Sequence, residues 1–220
     1  MDGLLLINKP TGISSFDVIR ILRRTTGVRK IGHTGTLDPA ASGLMLMLFG
    51  TACKKADQFS KLDKTYVAEV TLGANSTTGD REGELTRVSD RKPTLEEIEA
   101  AIKGFIGQIT QTPSIYSAIK INGQEAYKLA RKGQTPEMPS RQVTIHSIKV
   151  LSYEYPKLSL EVDCSSGTYI RTLAEDLGAK LDTGAYLSAL ERTGVGDYLI
   201  DQAIELDTDT QEIARNLTII

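Results

Sequence analysis

Two stretches of the chain alternate strictly between apolar and polar residues, and a period of two suits only a strand with one buried face. In the run YVAEVTL, Tyr66, Ala68, Val70 and Leu72 share one side while Val67, Glu69 and Thr71 share the other. Leu158, Leu160, Val162 and Cys164 are set in the same way against Ser159, Glu161 and Asp163. One-sided strands of this kind belong to largely antiparallel sheets. Apolar runs at 3–8 and 44–49 and a strand-like segment at 143–151 add strands. Helical spacing supplies the covering layer. Ser14 with Asp17, and Thr94 with Glu97, form capping boxes. The first opens a helix running toward Gly27, and the second one striped by Ile98, Ile102 and Phe105. Ile170, Leu173, Ala174, Leu177 and Leu181 keep the helical period over 169–181. The expected fold is α+β, a central mixed and largely antiparallel sheet flanked by helices.

With 220 residues, 40% hydrophobic and 25% charged, the chain can bury a full core without staples. Its two cysteines, Cys53 and Cys164, form no CxxC pair, and two histidines add little. A disulfide scaffold and a zinc centre are both disfavoured. The longest apolar run, 43–50, is well short of the roughly 20 residues a membrane span needs. The first residues, MDGLLLINKP, carry no signal-peptide pattern, so the cytoplasm is expected. Residues 107–142, with Pro113, Pro136 and Pro139 and little core pattern, are expected to be an insertion or mobile arm. A terminal helix is expected at about 209–217, within a short tail over 201–220. No interdomain linker stands out, so 1–220 is expected to be one catalytic domain.

The net charge of −2 hides local polarity. Residues 1–60 carry +4, 110–145 carry +3, and the last twenty carry −4. Positive patches of this kind dock phosphate backbones on proteins that are acidic overall. Arg20, Arg23 and Arg24 on the first helix, and Lys120, Lys128, Arg131 and Lys132 in the insertion, are the candidate RNA backbone contacts. They read equally as solvated faces.

The densest local signal is GHTGTLDPAASG, residues 32–43. It has neither the order of a phosphate loop nor that of a dinucleotide site. Pro39 holds the Asp38 backbone out of the helical region, which suits a helix cap as well as an exposed catalytic carboxylate. His33 is open between a backbone hydrogen bond and proton transfer. Tyr66 begins a strand on its apolar side. Tyr169 and Arg171 stand at a helix start, where a cation is misplaced against the helix dipole unless an anion is held nearby.

Taken together these segments resemble the tRNA pseudouridine synthase B family. The resemblance runs over 3–194 through GLLLINKPTGISSFDV, GHTGTLDPAASGLM, KTYVAEVTLG, QTPSIYSAIKINGQEAYKLARKG, CSSGTYIRTLAEDLG and LERTG, in the family's order. It implies the pseudouridine synthase fold and isomerisation of uridine at position 55 in the TψC loop of tRNA, with neither cofactor nor metal. It implies Asp38 as the catalytic aspartate, Tyr66 as the tyrosine stacking on the target base, and Arg171 as the arginine paired to the aspartate. Tyr169, Leu190, His33 and Lys9 become substrate-binding residues. The implied partner is the tRNA T-arm, without a membrane or an obligate protein partner, for a monomer. A tRNA-binding or folding protein with weak catalysis, or a synthase for another RNA loop, are the alternatives. Family members commonly continue into an accessory RNA-binding domain. Only 26 residues follow Gly194 here, which implies a short form without that domain.

Overall fold

The structure is a computed structural model, and it describes residues 1–220 except 118, 122 and 131 and the side chain at 127. In chain order the first elements are β1 (Gly3–Lys9), α1 (Ser15–Thr26), β2 (Ile31–His33), β3 (Ser42–Phe49), α2 (Ala56–Ser60) and β4 (Lys64–Leu72). There follow β5 (Ala74–Ser76), β6 (Leu85–Arg87), α3 (Leu95–Lys103), β7 (Gly107–Gln111), β8 (Lys120–Ile121), β9 (Gln124–Glu125) and α4 (Ala126–Ala130). The last are β10 (Arg141–Glu154), β11 (Lys157–Cys164), α5 (Ile170–Lys180), β12 (Ala185–Val195), β13 (Tyr198–Leu199), β14 (Ile204–Glu205) and α6 (Thr210–Asn216). The sheets are mixed and flanked by helices, the α+β class expected. No helix among the described residues is long and apolar enough to cross a membrane.

The chain divides into two compact units, 1–67 with 190–220, and 68–189. In the first unit, β3 lies between β1 and the later part of β12. It pairs antiparallel with β1 and parallel with β12. From Gly43 to Phe49 every β3 residue is buried, which explains a run with no alternation: both faces are covered. α1 keeps its capping box, with the Ser14 side chain accepting from Asp17 N–H and the Asp17 carboxylate accepting from Ser14 N–H. It buries Val18, Ile19 and Leu22 and ends at Gly27 in the left-handed region. The tail is part of the sheet: β14 pairs in parallel with β1, and Thr218 exchanges backbone hydrogen bonds with Leu4.

In the second unit the later part of β4 is followed in order by β11, β10 and β7. The predicted alternation holds, since Ala68, Val70, Leu72, Leu158, Leu160, Val162 and Cys164 are buried. One expectation is revised. Residues 107–111 are not insertion but β7, an edge strand whose Ile109 and Gly107 pair with Val143 and Ile145 of β10. β5 and β6 pair as an antiparallel hairpin. Between β7 and β10 lie the β8–β9 hairpin and α4.

Candidate active site

The loop 34–41 leaves β2 and returns to the sheet at β3, carrying Asp38 half-buried between Leu37, which is buried, and Pro39. It is fastened from below: Ser15 Oγ donates to Leu37 carbonyl and accepts from Leu37 N–H, at 2.9 and 2.8 Å. Asp38 caps no helix. Its carbonyl accepts from Ala41 N–H at 3.1 Å in a turn. The helix-capping alternative is therefore set aside.

Register then brings cations to this loop. Gly43 pairs with Lys9 on one side and Arg192 on the other, so two buried cations flank the residue at which the loop rejoins the sheet. Gly43 is obligatory there. Its φ is +109°, and a Cβ would lie 2.4 Å from the Arg192 carbonyl oxygen. Lys9 has no exposed surface, and its ammonium donates to the Pro10 and Ile13 carbonyls at 2.8 Å each. Burial lowers its pKa to about 8; the Asp38 charge opposes that fall and Arg192 reinforces it. Arg192 is 2% exposed. It donates from Nε to the Leu44 carbonyl at 2.7 Å and from Nη2 to the Gly35 carbonyl at 3.2 Å. Burial pulls its pKa down from the usual arginine value, and Tyr66 opposes that.

His33, at the end of β2, is held below the ordinary imidazole pKa first by burial and then by Arg192. Its Nδ1 is buried with no hydrogen-bond partner among the described residues. Tyr66 is 9% exposed, and Leu190 is half-buried on β12 two residues before Arg192. The first unit thus sets Lys9, His33 and Tyr66 near Arg192, an arginine that stood in the sequence analysis only as part of LERTG, and ties the Asp38 loop to it through Gly35.

The second unit holds Tyr169 and Arg171 at the start of α5. Arg171 is 8% exposed; its Nη1 donates to the Thr78 carbonyl at 3.1 Å and faces Asp80 Oδ2 at 3.4 Å. Its Nη2 donates to the Tyr116 carbonyl at 3.0 Å. This answers the puzzle of a cation at a helix start, because Asp80 is an anion on hand. Asp80 is itself oriented by Thr78 Oγ1, at 2.6 Å, and by Glu82 N–H, at 3.0 Å. The backbone of Tyr169 is clamped by the buried Gln111 amide, which donates to its carbonyl at 3.2 Å and accepts from its N–H at 3.0 Å. The Arg141 guanidinium sits 5.3 Å over its ring. Asp80, Gln111 and Arg192 were not singled out from the sequence. An isolated Asp in a turn-rich stretch, or a Gln at the end of a strand, has no local pattern to betray it.

The candidate RNA contacts are exposed where described. Arg20 is ion-paired with Asp17, and Lys128 with Glu125 at 3.0 Å. Arg23 reaches the Ile31 carbonyl at 3.4 Å. Arg24, Lys120 and Lys132 are exposed, and Arg131 lies outside the described residues.

A family model for the TruB family pseudouridylate synthase (N terminal domain) matches residues 23–170. The tRNA pseudouridine synthase B of Burkholderia pseudomallei (strain 668) is 45% identical over 207 residues, 94% of this chain and 68% of that protein. The tRNA pseudouridine synthase B of Cupriavidus taiwanensis is 48% identical over 207 residues, 93% of this chain and 66% of its own length. Among solved structures, a Cbf5-Nop10-Gar1 complex aligns with a TM-score of 0.72 at 26% identity, covering 93% of this chain and 52% of that one. An H/ACA RNP bound to a substrate RNA containing 2′-deoxyuridine aligns at 0.71 and 25%, covering 93% and 51%. The chain spans about two thirds of the curated relatives and about half of the solved ones. On this match and this architecture, the chain belongs to the TruB family of pseudouridylate synthases.

Proposed function

We propose that the protein isomerises uridine to pseudouridine at position 55 in the TψC loop of tRNA, with Asp38 as the catalytic carboxylate and no cofactor or metal. The observation that carries this is the setting of Asp38: a rigid loop, with buried Lys9 coupled to its charge and Arg192 fixing the loop on both sides. Such an arrangement holds a carboxylate in one place and aims it, which nucleophilic catalysis requires. The target nucleotide must leave its stack to reach the site. Asp38 forms an adduct at ribose C1′ or uracil C6, the N-glycosidic bond breaks, the base turns, and a C1′–C5 bond forms. The C5 proton then leaves, while N1 gains one from solvent.

Tyr66 stacks on the base and assists loss of the C5 proton, and Leu190 supplies an apolar wall. Arg171 is assigned to the Asp38 carboxylate, and within its own unit it faces Asp80. His33, whose pKa burial lowers, is assigned to contact the RNA at the displaced base. Tyr169 is assigned to the substrate as a binding residue. Arg20, Arg23, Arg24, Lys120, Lys128, Arg131 and Lys132 are assigned to phosphates of the T-arm. The chain is assigned to the cytoplasm, where tRNA is modified, as a monomer. Site-resolved pseudouridine mapping on unmodified tRNA and total cellular RNA is the test. Product confined to position 55 supports the assignment; product elsewhere with none at 55 moves it to another RNA loop, and binding without product reduces the protein to a tRNA binder.

A further inference from the structure

Phe16 is an aromatic ring that the fold leaves outside its core. α1 buries Ser15, Val18, Ile19 and Leu22, whose spacing of i, i+3, i+4 and i+7 makes one continuous inner face. Phe16 falls off that face and is 57% exposed. Among the described aromatic residues it alone is exposed. Single apolar side chains on a surface are ordinary, so exposure by itself assigns nothing. Place and neighbours set Phe16 apart.

Its place is beside the catalytic loop. Gly12 N–H donates to the Pro39 carbonyl at 2.8 Å, and Ser15 Oγ holds both the N–H and the carbonyl of Leu37. Leu37 and Pro39 bracket Asp38, so residues 12–15 grip the loop on either side of the carboxylate. Phe16 is the next residue along. The capping box of Ser14 and Asp17 closes the helical turn around it, so the ring stands on rigid backbone. Its neighbours are cations. With about 100° between successive residues, Phe16, Arg20 and Arg23 lie within about 60° of one another around the helix. Arg20 and Arg23 are both exposed, and Arg24, Arg29 and Lys30 carry the exposed charge past the end of α1. The acidic group of this stretch, Asp17, is taken up by the cap and by Arg20. An exposed ring followed by cations suits a single-stranded nucleic acid, whose bases stack while its phosphates pair. A second copy of the chain docking through the same face would set these cations against themselves.

We propose that Phe16 is a base-stacking residue of the site, taking an unpaired base of the RNA loop next to the nucleotide that enters the pocket. The proposal rests on the pseudouridine assignment and adds a contact to it. Extruding one nucleotide strips its neighbours of a stacking partner, and Phe16 supplies a rigid apolar face in its place. Arg20 and Arg23 follow the phosphates leading away from that base. A base inside a duplex has no free face to offer, so the contact selects a loop over a helix.

The test is equilibrium binding of T-arm RNA by the full chain, comparing the parent with Phe16→Ala, Phe16→Leu and Phe16→Tyr over a salt series. A set of T-arm RNAs, each with an abasic ribose at one loop position, locates the contact. F16A is expected to weaken binding by about 5- to 150-fold, the scale of one base–aromatic stack. F16L should lose most of the same affinity, while F16Y should bind within about twofold of the parent. The salt slope of F16A should match the parent's, since no phosphate contact is removed. At one abasic position the loss should vanish, with parent and F16A binding that RNA equally. F16A or F16L binding as the parent does overturns the proposal, as does a flattened salt slope or a loss that persists on every abasic RNA. If F16A does not fold, F16L decides by the same criteria. A dimer in sedimentation that F16A abolishes, with RNA binding kept, gives the ring to a second copy and also overturns it. The binding cycle needs no turnover. A parent that binds the T-arm but makes no pseudouridine sinks the functional assignment while the cycle still decides Phe16; a parent that makes pseudouridine with indifferent Phe16 variants sinks this proposal alone; and a parent that does neither sinks both.

Discussion

Lys9 shows what one buried charge does to a site. Its pKa of about 8, against an ordinary 10.5, means that it is a cation beside Asp38 at neutral pH and loses its proton in mildly alkaline solution. In the unfolded chain Lys9 stays protonated to about pH 10.5, so between about 8 and 10.5 the unfolded state binds more protons and folding gains stability as pH rises. Activity should move the other way across that window, because the positive charge supporting the Asp38 carboxylate disappears. Melting temperature and single-turnover rate measured from pH 7 to 10 are expected to diverge, and Lys9→Met should flatten both trends. Parallel rise or fall of the two would remove Lys9 from the site. Tyr66 divides its two roles differently. Tyr66→Phe should bind RNA as the parent does yet form product slowly, whereas Tyr66→Leu should also lose about 1–3 kcal/mol of binding through the missing base stack. Equal turnover by Y66F and the parent would leave Tyr66 a stacking residue alone. Asp38, Tyr66 and Arg171 could be singled out from the sequence because motif and local chemistry coincided at each. Arg192 and Asp80 could not, since their partners are carbonyls and side chains far away along the chain.

Among the elements, those with a local signature were legible. Reciprocal capping at Ser14–Asp17 and Thr94–Glu97 marked two helix starts to the residue. The alternating runs at 66–72 and 158–164 gave their buried faces in full. β12 was missed because the sequence SALERTG puts Ser188, Glu191, Arg192 and Thr193 where a strand pattern would be apolar. Those polar groups are paid for by partners on neighbouring strands, such as the Glu69 carbonyl and carboxylate for Ser188 and the Thr65 carbonyl for Thr193. β7 was folded into the expected insertion for a similar reason: an edge strand reading GQITQ carries one apolar side chain. The β3–β12 junction gives a stability prediction. Gly43→Ala combines a left-handed φ with a backbone collision against Arg192, and a loss of about 2–4 kcal/mol is expected in denaturant unfolding. Gly27→Ala, with the same class of φ but open space around it, should cost only about 1 kcal/mol. Equal costs at the two positions would show that the close approach of β12 is not what selects glycine at 43.

At the level of the whole molecule, charge is sorted along the chain rather than averaged, with positive segments at 1–60 and 110–145 and an acidic tail. If recognition rests on these segments and on the site, an isolated T-arm stem-loop should react with much of the efficiency of full tRNA, while an unstructured RNA of the same loop sequence should not. Binding should weaken steeply with salt, and each lost phosphate contact should flatten the log–log slope by about 1. A stem-loop that is inert while full tRNA reacts would move recognition to a distant part of the tRNA. The central claim is that Asp38 makes this protein a position-55 pseudouridine synthase. It is tested most directly by tritium release from a tRNA transcript labelled at C5 of its uridines, with product mapped to the nucleotide, for the parent and Asp38→Asn. The parent should release label with pseudouridine at position 55, and D38N, folded and binding tRNA as the parent does, should fall by at least about 10³-fold, the scale of losing a covalent nucleophile. Near-parent release by D38N, or release without pseudouridine at that position, would contradict it.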